Sequence, residues 1–501
     1  MPLYSFTRVA VALAAFLPLA IPAMTLAGDE PKKKPNVLLI LADDMRRDTI
    51  AGLGNANIAT PNLDKLMKRG TTFTRAYIQG SLSGAVCMPS RQMIATGRSF
   101  LKTPIDMKGR IVLGELLRRA GYATFGIGKW HNGPDSWLRS FEAGNMILFG
   151  GMADHFNVPF QVPKGNGEFR MVDTKGKHSS EVIADAAIDF LKKRAEARKG
   201  PVDATKPFFL YVAFTAPHDP RDAPEKFRDM YYKKKPPVPK NFLPQHPFDN
   251  GELTGRDEVL APWPRTEAVI QDQLAEYYAL ITHLDEQIGR LLEALEASGE
   301  LENTIIIFAA DNGLALGSHG LVGKQSVYEH SVGVPLMFAG PGVPKNQKRD
   351  ALVYLLDIFP TVCELTGVDV PNDIDGKSLA KVIAGKEKGV RESLYFNYKH
   401  LQRSVRDDRW KLIVYPQINH QQLFDLKNDL DEIHDLAGKA ENAKRVEELK
   451  SLLLKWEKDL GLEPMPLTVA NPKAKQVDLT REPRNPDRWQ PEWIRKKYFG
   501  R

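Results

Sequence analysis

Cysteine is almost absent: Cys87 and Cys363 are the only two in 501 residues. Two thiols cannot build a disulfide framework, and neither has the nearby second Cys that a thiol metal or redox motif requires. Long apolar runs are missing as well. Past the first thirty residues nothing approaches the ~20 consecutive apolar residues of a spanning helix, so the chain reads as not membrane-spanning. The basic clusters at Lys32–Lys34, Lys192–Lys199, Lys233–Lys235 and Arg495–Arg501 lack interleaved aromatics and any nucleic-acid motif, which argues against a nucleic-acid partner. No internal repeat is visible, so repeat architectures are excluded too.

What is present is ordinary in bulk: 43% hydrophobic and 26% charged residues, as in soluble globular chains. The formal charge of +7 suits either an anionic substrate or a surface of solvated lysines. The length calls for several domains, or one large α/β core with an appendage. At the start, Arg8 precedes an apolar run from Val9 to Ala23 and small residues Thr25-Leu26-Ala27. That pattern predicts an export signal over residues 1–27, with Pro18 and Pro22 arguing against a retained anchor. The expected location is periplasmic or extracellular. Cys363, inside the helical apolar stretch 352–363, is expected to be a packed core thiol.

The stretch 87–98, Cys87-Met88-Pro89-Ser90-Arg91 running to Thr96-Gly97-Arg98, organises the rest. Pro89 suits the first turn of a helix, which places Cys87 at a helix start where exposed amides favour negative charge. Arg91, one turn on, can reach the same point. Elsewhere a pattern recurs: a continuous apolar strand, then polar residues at its carboxyl end. Asn36–Ala42 delivers Asp43 and Asp44, Tyr122–Gly128 delivers Lys129 and His131, Phe208–Phe214 precedes His218, and Thr304–Ala309 precedes Asp311 and Asn312. Such runs are strands covered on both faces, and in open α/β sheets ligands gather beyond the strands' carboxyl ends. Asp43, Asp44, Asp311 and Asn312 offer only oxygen, which suits Ca²⁺, with Mg²⁺ second, and disfavours zinc. Arg91, Lys129 and Lys324 add positive charge for an oxyanion.

Between these strands, residues 132–178 and 220–265 read as irregular loops. A helix from Gln271 to Glu296 buries Leu274, Tyr278, Ile281, Leu284, Ile288 and Leu291 and exposes His283, Asp285, Glu286 and Arg290. Thr60-Pro61 opens another helix with an N-cap. Arg46, Arg47 and Asp48 stand between substrate contact and surface. Asp219 stands between sugar contact and turn formation, and His319 between pocket wall and loop support. Beyond 390, three short alternating strands and a helix over 443–458 predict a small antiparallel sheet.

C-x-P-S-R with T-G, Asp43-Asp44, G-K-x-H at 128–131, A-P-H at 216–218, D-N-G at 311–313 and G-K at 323–324 together resemble the formylglycine-dependent sulfatases of the alkaline-phosphatase superfamily. The resemblance implies an α/β fold with a large central mixed, mostly parallel sheet flanked by helices, plus a small C-terminal α+β subdomain. It divides the chain into signal peptide 1–27, catalytic domain 28–385, subdomain 390–462 and extension 463–501.

The resemblance further implies that a maturation enzyme converts Cys87 to formylglycine, whose hydrate attacks sulfur. His218 then acts as general acid near Lys324, and His131 assists expulsion of sulfate by the second hydroxyl. Arg91 and Lys129 hold hydrate and sulfate, and the cation takes Asp43, Asp44, Asp311, Asn312 and residue 87. The implied substrate is a sulfate monoester, on a sulfated glycan before a small aryl or choline sulfate. Two alternatives accompany this reading. A phosphatase or phosphodiesterase of the same superfamily would want a Ser or Thr nucleophile and His-rich zinc ligands. A catalytically inactive glycan-binding relative would not need both histidines.

Overall fold

The computed structural model describes residues 1–5, 7, 8, 10, 33–198, 206–463, 465–479 and 492–500. The chain divides into two units, residues 1–33 and 34–501. The described residues of the first carry no helix or strand, and the segment expected to be an export signal lies almost wholly outside the described residues.

Within the second unit the strands are, in chain order, β1 Asn36–Ala42, β2 Gly70–Tyr77, β3 Gly80–Ser81, β4 Ala123–Lys129, β5 Ala143–Leu148, β6 Gln161–Gly165, β7 Glu168–Met171 and β8 Phe208–Ala213. They continue with β9 Thr304–Ala310, β10 Gly333–Ala339, β11 Gln347–Arg349, β12 Val353–Tyr354, β13 Leu394–Tyr398, β14 Gln402–Arg406, β15 Trp410–Tyr415 and β16 His420–Asp425. A mixed sheet runs β11-β2-β10-β9-β1-β8-β4-β5-β6-β7, with β12 also beside β2. Its centre, β9-β1-β8-β4-β5, is parallel throughout, and β10, β6 and β7 pair antiparallel around it. β1, β8 and β9 are buried along their whole length, which is what their unbroken apolar runs require when helices cover both faces. This is the alkaline-phosphatase-like sheet that the sequence predicts.

The second sheet, β16-β15-β14-β13-β3, is antiparallel except that β3 joins β13 in parallel. The helix Ala443–Asp459 lays Val446, Leu449 and Leu453 on Tyr395, Val405, Leu412 and Leu423. β3 comes from far upstream, six residues before Cys87. It therefore ties the small sheet to the segment that leads into the helix Cys87–Thr96.

Three sequence expectations are corrected. Residues 132–178 are not one long loop, since they contain the helix Pro134–Ser140 and β5 to β7. Residues 220–265 likewise include the helix Glu225–Lys233. Third, His283 and Asp285 of the long helix Glu267–Ala297 are buried rather than on its exposed face. His283 packs against the His178 and Phe227 rings, and Asp285 is a cap: its carboxylate accepts from the Asn62 and Leu63 amides at 3.0 and 2.7 Å. It thereby satisfies the N-terminus of the helix Pro61–Arg69, whose own Thr60 side chain makes no cap bond. The other two predicted members of that face, Glu286 and Arg290, are exposed. Cys363 is fully buried in the helix Ile358–Thr366, and burial pushes its thiol up to about 12. No described helix is long and apolar enough to cross a membrane.

Candidate active site

Four neighbouring parallel strands, β9, β1, β8 and β4, end at one edge of the large sheet. Their ends supply Asp311 and Asn312, then Asp43 and Asp44, then the turn to His218, then Lys129 and His131. Asp44 and His131 both have φ near +65°, a conformation rare for residues with a side chain and common at functional turns. Gly313 is needed where it stands, because a Cβ there would lie 2.0 Å from the His330 carbonyl oxygen. The helix Cys87–Thr96 points its first residue at the same edge, with Pro89 in its first turn.

A continuous set of contacts links all ten predicted residues. Cys87 Sγ lies 3.3 Å from His131 Nδ1 and 3.6 Å from Lys129 Nζ. Lys129 Nζ is 2.5 Å from Asp43 Oδ2. Asp43 Oδ1 is 3.9 Å from Arg91 Nη2, and Arg91 grips Asp311 Oδ2 through Nε and Nη2, both at 2.8 Å. Asp311 Oδ1 accepts the Asp44 amide at 3.0 Å. Asp44 in turn takes Asn312 Nδ2 at 2.8 Å and Lys324 Nζ at 2.7 Å, and lies 3.6 Å from His218 Nε2.

The electrostatics follow from three carboxylates and three cationic side chains packed in the interior. Burial, then the Asp311 charge, raises Asp43 to about 6 despite Lys129. Burial also opposes ionisation of Asp44, but His218 and Lys324 hold it below the ordinary value. Asp311 is likewise held down, by Arg91 and Lys129. Burial raises the Cys87 thiol although Lys129 and Lys324 draw it down, so an unmodified Cys87 is a neutral thiol. Burial and the neighbouring Lys129 and Arg91 depress His131 to about 2, so its imidazole is neutral.

Two buried oxygens here have no hydrogen-bond partner: Asp43 Oδ1 and Asn312 Oδ1. Donor atoms of Asp43, Cys87 and Asp311 lie within 4.8 Å of one another, as do those of Asp43, Asp44 and His218. Orphaned oxygens beside mutually repelling carboxylates fit a hard divalent cation.

Several supports carried no sequence signal. Tyr211, inside the apolar run of β8, hydrogen-bonds Arg91 Nη1 at 3.2 Å and the Lys129 carbonyl at 3.1 Å. Tyr277, one residue from the Tyr278 expected in the helix stripe, donates to the Asp44 carbonyl at 2.6 Å. Glu258 accepts the Val322 and Gly323 amides, fixing the turn that carries Lys324. Of the residues with two open roles, Asp219 pairs with Arg256 and stands 3.3 Å from His218 Nδ1. His319 supports a loop: it bonds the Glu432 carbonyl at 2.9 Å and stacks on Tyr328. Arg46 braces the Leu314 and Ala315 carbonyls and Arg47 pairs with Glu329. Both line a cavity of about 350 Å³ that contains none of the ten residues.

Comparison with known proteins decides the family. Residues 35–368 match the family model described as Sulfatase, which spans most of the chain. The chain belongs to the sulfatase family. It is thus a sulfuric ester hydrolase of the alkaline-phosphatase superfamily. Residues 317–459 of this sulfatase also match a model described as N-sulphoglucosamine sulphohydrolase, C-terminal. It is 29% identical to an arylsulfatase of Clostridium perfringens, covering 84% of this chain and 94% of that one. It is also 29% identical to an N-acetylglucosamine-6-O-sulfatase of Bacteroides thetaiotaomicron, covering 88% and 90%. Among solved structures it resembles, at TM-score 0.71 and 25% identity, a protein captured with its substrate D-glucosamine-2-N,6-O-disulfate; coverage is 86% of this chain and 98% of that one.

Proposed function

We propose that this sulfatase removes sulfate from a carbohydrate monoester, using residue 87 as formylglycine and one Ca²⁺, with Mg²⁺ as the second choice. The observation that carries the reading is the placement of Cys87 Sγ between His131, Lys129 and the carboxylate cluster. The sulfur stands in for the oxygens of a hydrated aldehyde. Asp43, Asp44, Asp311, Asn312 and residue 87 would hold the cation, which when bound supplies Lewis-acid polarisation of a sulfate oxygen. The hydrate supplies a nucleophilic hydroxyl and a second hydroxyl that later expels sulfate, which a serine could not provide.

The side chains perform the rest. Lys129 and Arg91 hold the residue-87 oxygens and the sulfate, and Lys324 faces the departing oxygen from the Asp44 side. His218 directs Nδ1 at the Asp219 carbonyl, 2.7 Å away. A carbonyl only accepts, so Nδ1 carries hydrogen and Nε2 is free to hold the proton given to the leaving alcohol. His131 Nδ1, 3.3 Å from residue 87, takes the proton of the second hydroxyl. Its low basicity reflects burial among cations, and an anionic sulfate on residue 87 offsets those cations when the base is needed.

The relatives named for N-acetylglucosamine-6-O-sulfate and for a glucosamine disulfate favour a sulfated amino sugar. The N-terminal pattern supports export before cleavage near residue 27, after a maturation enzyme has acted on Cys87. We read residues 28–385 as catalytic, 390–462 as a subdomain and 463–501 as an extension. The test is mass spectrometry of the residue-87 peptide from protein co-expressed with a maturation enzyme, alongside assays on glucosamine 6-sulfate, an aryl sulfate and the matching phosphate. Full activity from entirely unmodified Cys87, or preference for the phosphate, overturns the reading.

A further inference from the structure

We infer that His155 is a positioning residue for His218: it pins the 218–219 peptide so that the next carbonyl sets the tautomer of the general acid. This rests on the assignment of His218 as general acid given above. His155 belongs to the segment 132–178 and is 1% exposed. Its Nε2 lies 2.9 Å from the His218 carbonyl oxygen, and its Nδ1 lies 2.8 Å from Ser179 Oγ. Because a carbonyl can only accept, Nε2 carries the hydrogen and Nδ1 is the acceptor.

The hydroxyls around Nδ1 are consistent with that tautomer. Ser179 Oγ donates to His155 Nδ1, and Thr215 Oγ donates to Ser179 Oγ at 2.8 Å. The chain runs Thr215 to Ser179 to His155 to the His218 carbonyl, and Thr215 Oγ also lies 3.3 Å from His155 Nδ1, so both hydroxyls face the ring nitrogen that accepts. Two features hold the imidazole in place: the Ser179 amide bonds the His155 carbonyl at 2.7 Å, and the His178 ring stacks on it at 4.9 Å. Burial lowers His155 to about 4, so it stays neutral and keeps this tautomer at neutral pH.

The consequence lies one peptide further on. The His218 carbonyl and the Asp219 amide form one rigid plane. Fixing that plane fixes where Asp219 begins, and the Asp219 carbonyl is what receives His218 Nδ1–H. His218 Nε2 is thereby left facing Asp44. Without the His155 hydrogen bond the plane can turn, and the preference for hydrogen on Nδ1 is left to the Asp219 carboxylate, 3.3 Å away.

The experiment compares wild-type protein with His155→Phe, which fills the space but cannot donate, and His155→Gln, whose amide can donate to the same carbonyl. Two readouts are taken: ¹⁵N shifts of the His218 ring in histidine-labelled protein, and kcat and KM on a sugar sulfate and an activated aryl sulfate. In wild type, His218 should show hydrogen on Nδ1 and a bare Nε2 when neutral. His155→Phe should weaken the preference for hydrogen on Nδ1 and lower kcat on the sugar sulfate by about tenfold or more, part of the ~10²–10⁴ that general acid catalysis supplies. The aryl sulfate should change by less than about threefold, KM should hardly move, and His155→Gln should recover most of the loss. Ser179→Ala, which leaves Thr215 Oγ as the remaining hydroxyl within reach of Nδ1, should show the same pattern more weakly, and it serves if His155→Phe does not fold. An unchanged His218 ring pattern in the folded variants, or equal losses on both substrates without rescue by Gln, overturns the inference. Wild-type protein with the expected ring pattern but no sulfatase activity would instead overturn the proposed function.

Discussion

Asp311→Asn should separate cation binding from folding, whereas Asp311→Ala should damage both. Asp311 Oδ2 holds Arg91 through two contacts of 2.8 Å, and the Arg91 side chain is 1% exposed. Deleting the carboxylate strands a buried guanidinium, which costs about 3–5 kcal/mol. It also leaves the Asp44 amide without its acceptor at 3.0 Å, a further ~1–3 kcal/mol. Against a total stability of about 5–15 kcal/mol, the Ala variant loses activity for a reason unrelated to metal. Asn keeps the shape and one oxygen, enough for Arg91 or for the Asp44 amide but not both, so it costs less than Ala, and it loses one of the three negative charges. Changes outside the ligand sphere already cost ~10–100-fold in metal affinity, so losing a ligating charge should cost at least about a hundredfold. The assay is Ca²⁺ titration by calorimetry, paired with thermal unfolding with and without Ca²⁺. Wild type should gain about 2.7 kcal/mol at a hundred times Kd, and Asp311→Asn at the same concentration should gain almost nothing. An Asn variant that binds Ca²⁺ as tightly as wild type, or a wild type indifferent to both Ca²⁺ and Mg²⁺, refutes the assignment.

Cation affinity should also depend on pH. Asp43 is raised from 3.8 to about 6, first by burial and then by Asp311. For a raised carboxylate, the stability contribution is present below the unfolded value and lost as pH rises through about 6. The cation must displace that proton, so affinity should fall about tenfold per unit below pH 6 and flatten above it; calorimetry in two buffers that reports no proton release at pH 5 contradicts this. Cys87→Ser should abolish turnover while leaving Ca²⁺ affinity within a few-fold, and a serine variant with wild-type kcat removes the need for formylglycine. His218→Ala should slow a sugar sulfate far more than an activated aryl sulfate, within the ~10²–10⁴ range of general acid catalysis. His131→Ala should slow both and leave sulfate on residue 87, visible by intact mass. Equal losses for His218→Ala and no trapped sulfate for His131→Ala would mean the two roles are wrongly assigned.

The site was legible because strand ends are. Each of β1, β4, β8 and β9 is an apolar run that stops at a charged or hydrogen-bonding residue, and parallel pairing sends those stops to one edge. Where polar residues are buried for structural reasons, the signal fails. β14, with Gln402, Arg403, Ser404 and Arg406, reads as a surface segment. It is buried because Arg403 pairs with Glu457 and Arg406 with Tyr77 and Glu329. Asp285 fails for a related reason, since a carboxylate that caps another helix has the same spacing as one facing water, and His283 is buried against the His178 and Phe227 rings. His155 was invisible because its partners are a backbone carbonyl and two hydroxyls distant in sequence. Tyr211 and Tyr277 were hidden among apolar neighbours, since a tyrosine whose hydroxyl braces a catalytic loop has the same letter as one that fills a core.

The charge balance explains why so buried a site suits an anionic ester. Asp43, Asp44 and Asp311 are offset by Arg91, Lys129 and Lys324, so the side chains are near neutrality. A bound dication would make the site positive in a region almost closed to water, where each unit of charge acts at a low effective dielectric. A thiol at residue 87 adds nothing to this, because burial keeps it protonated and it offers a single soft atom. A hydrated aldehyde at the same point offers two oxygens, which the geometry can use separately. One can face the carboxylate cluster shared with Asp43 and Asp311, and the other can face His131 and Lys129. The position of Cys87 is therefore poorly suited to cysteine chemistry and well suited to a modified residue that must attack with one oxygen and release product with another.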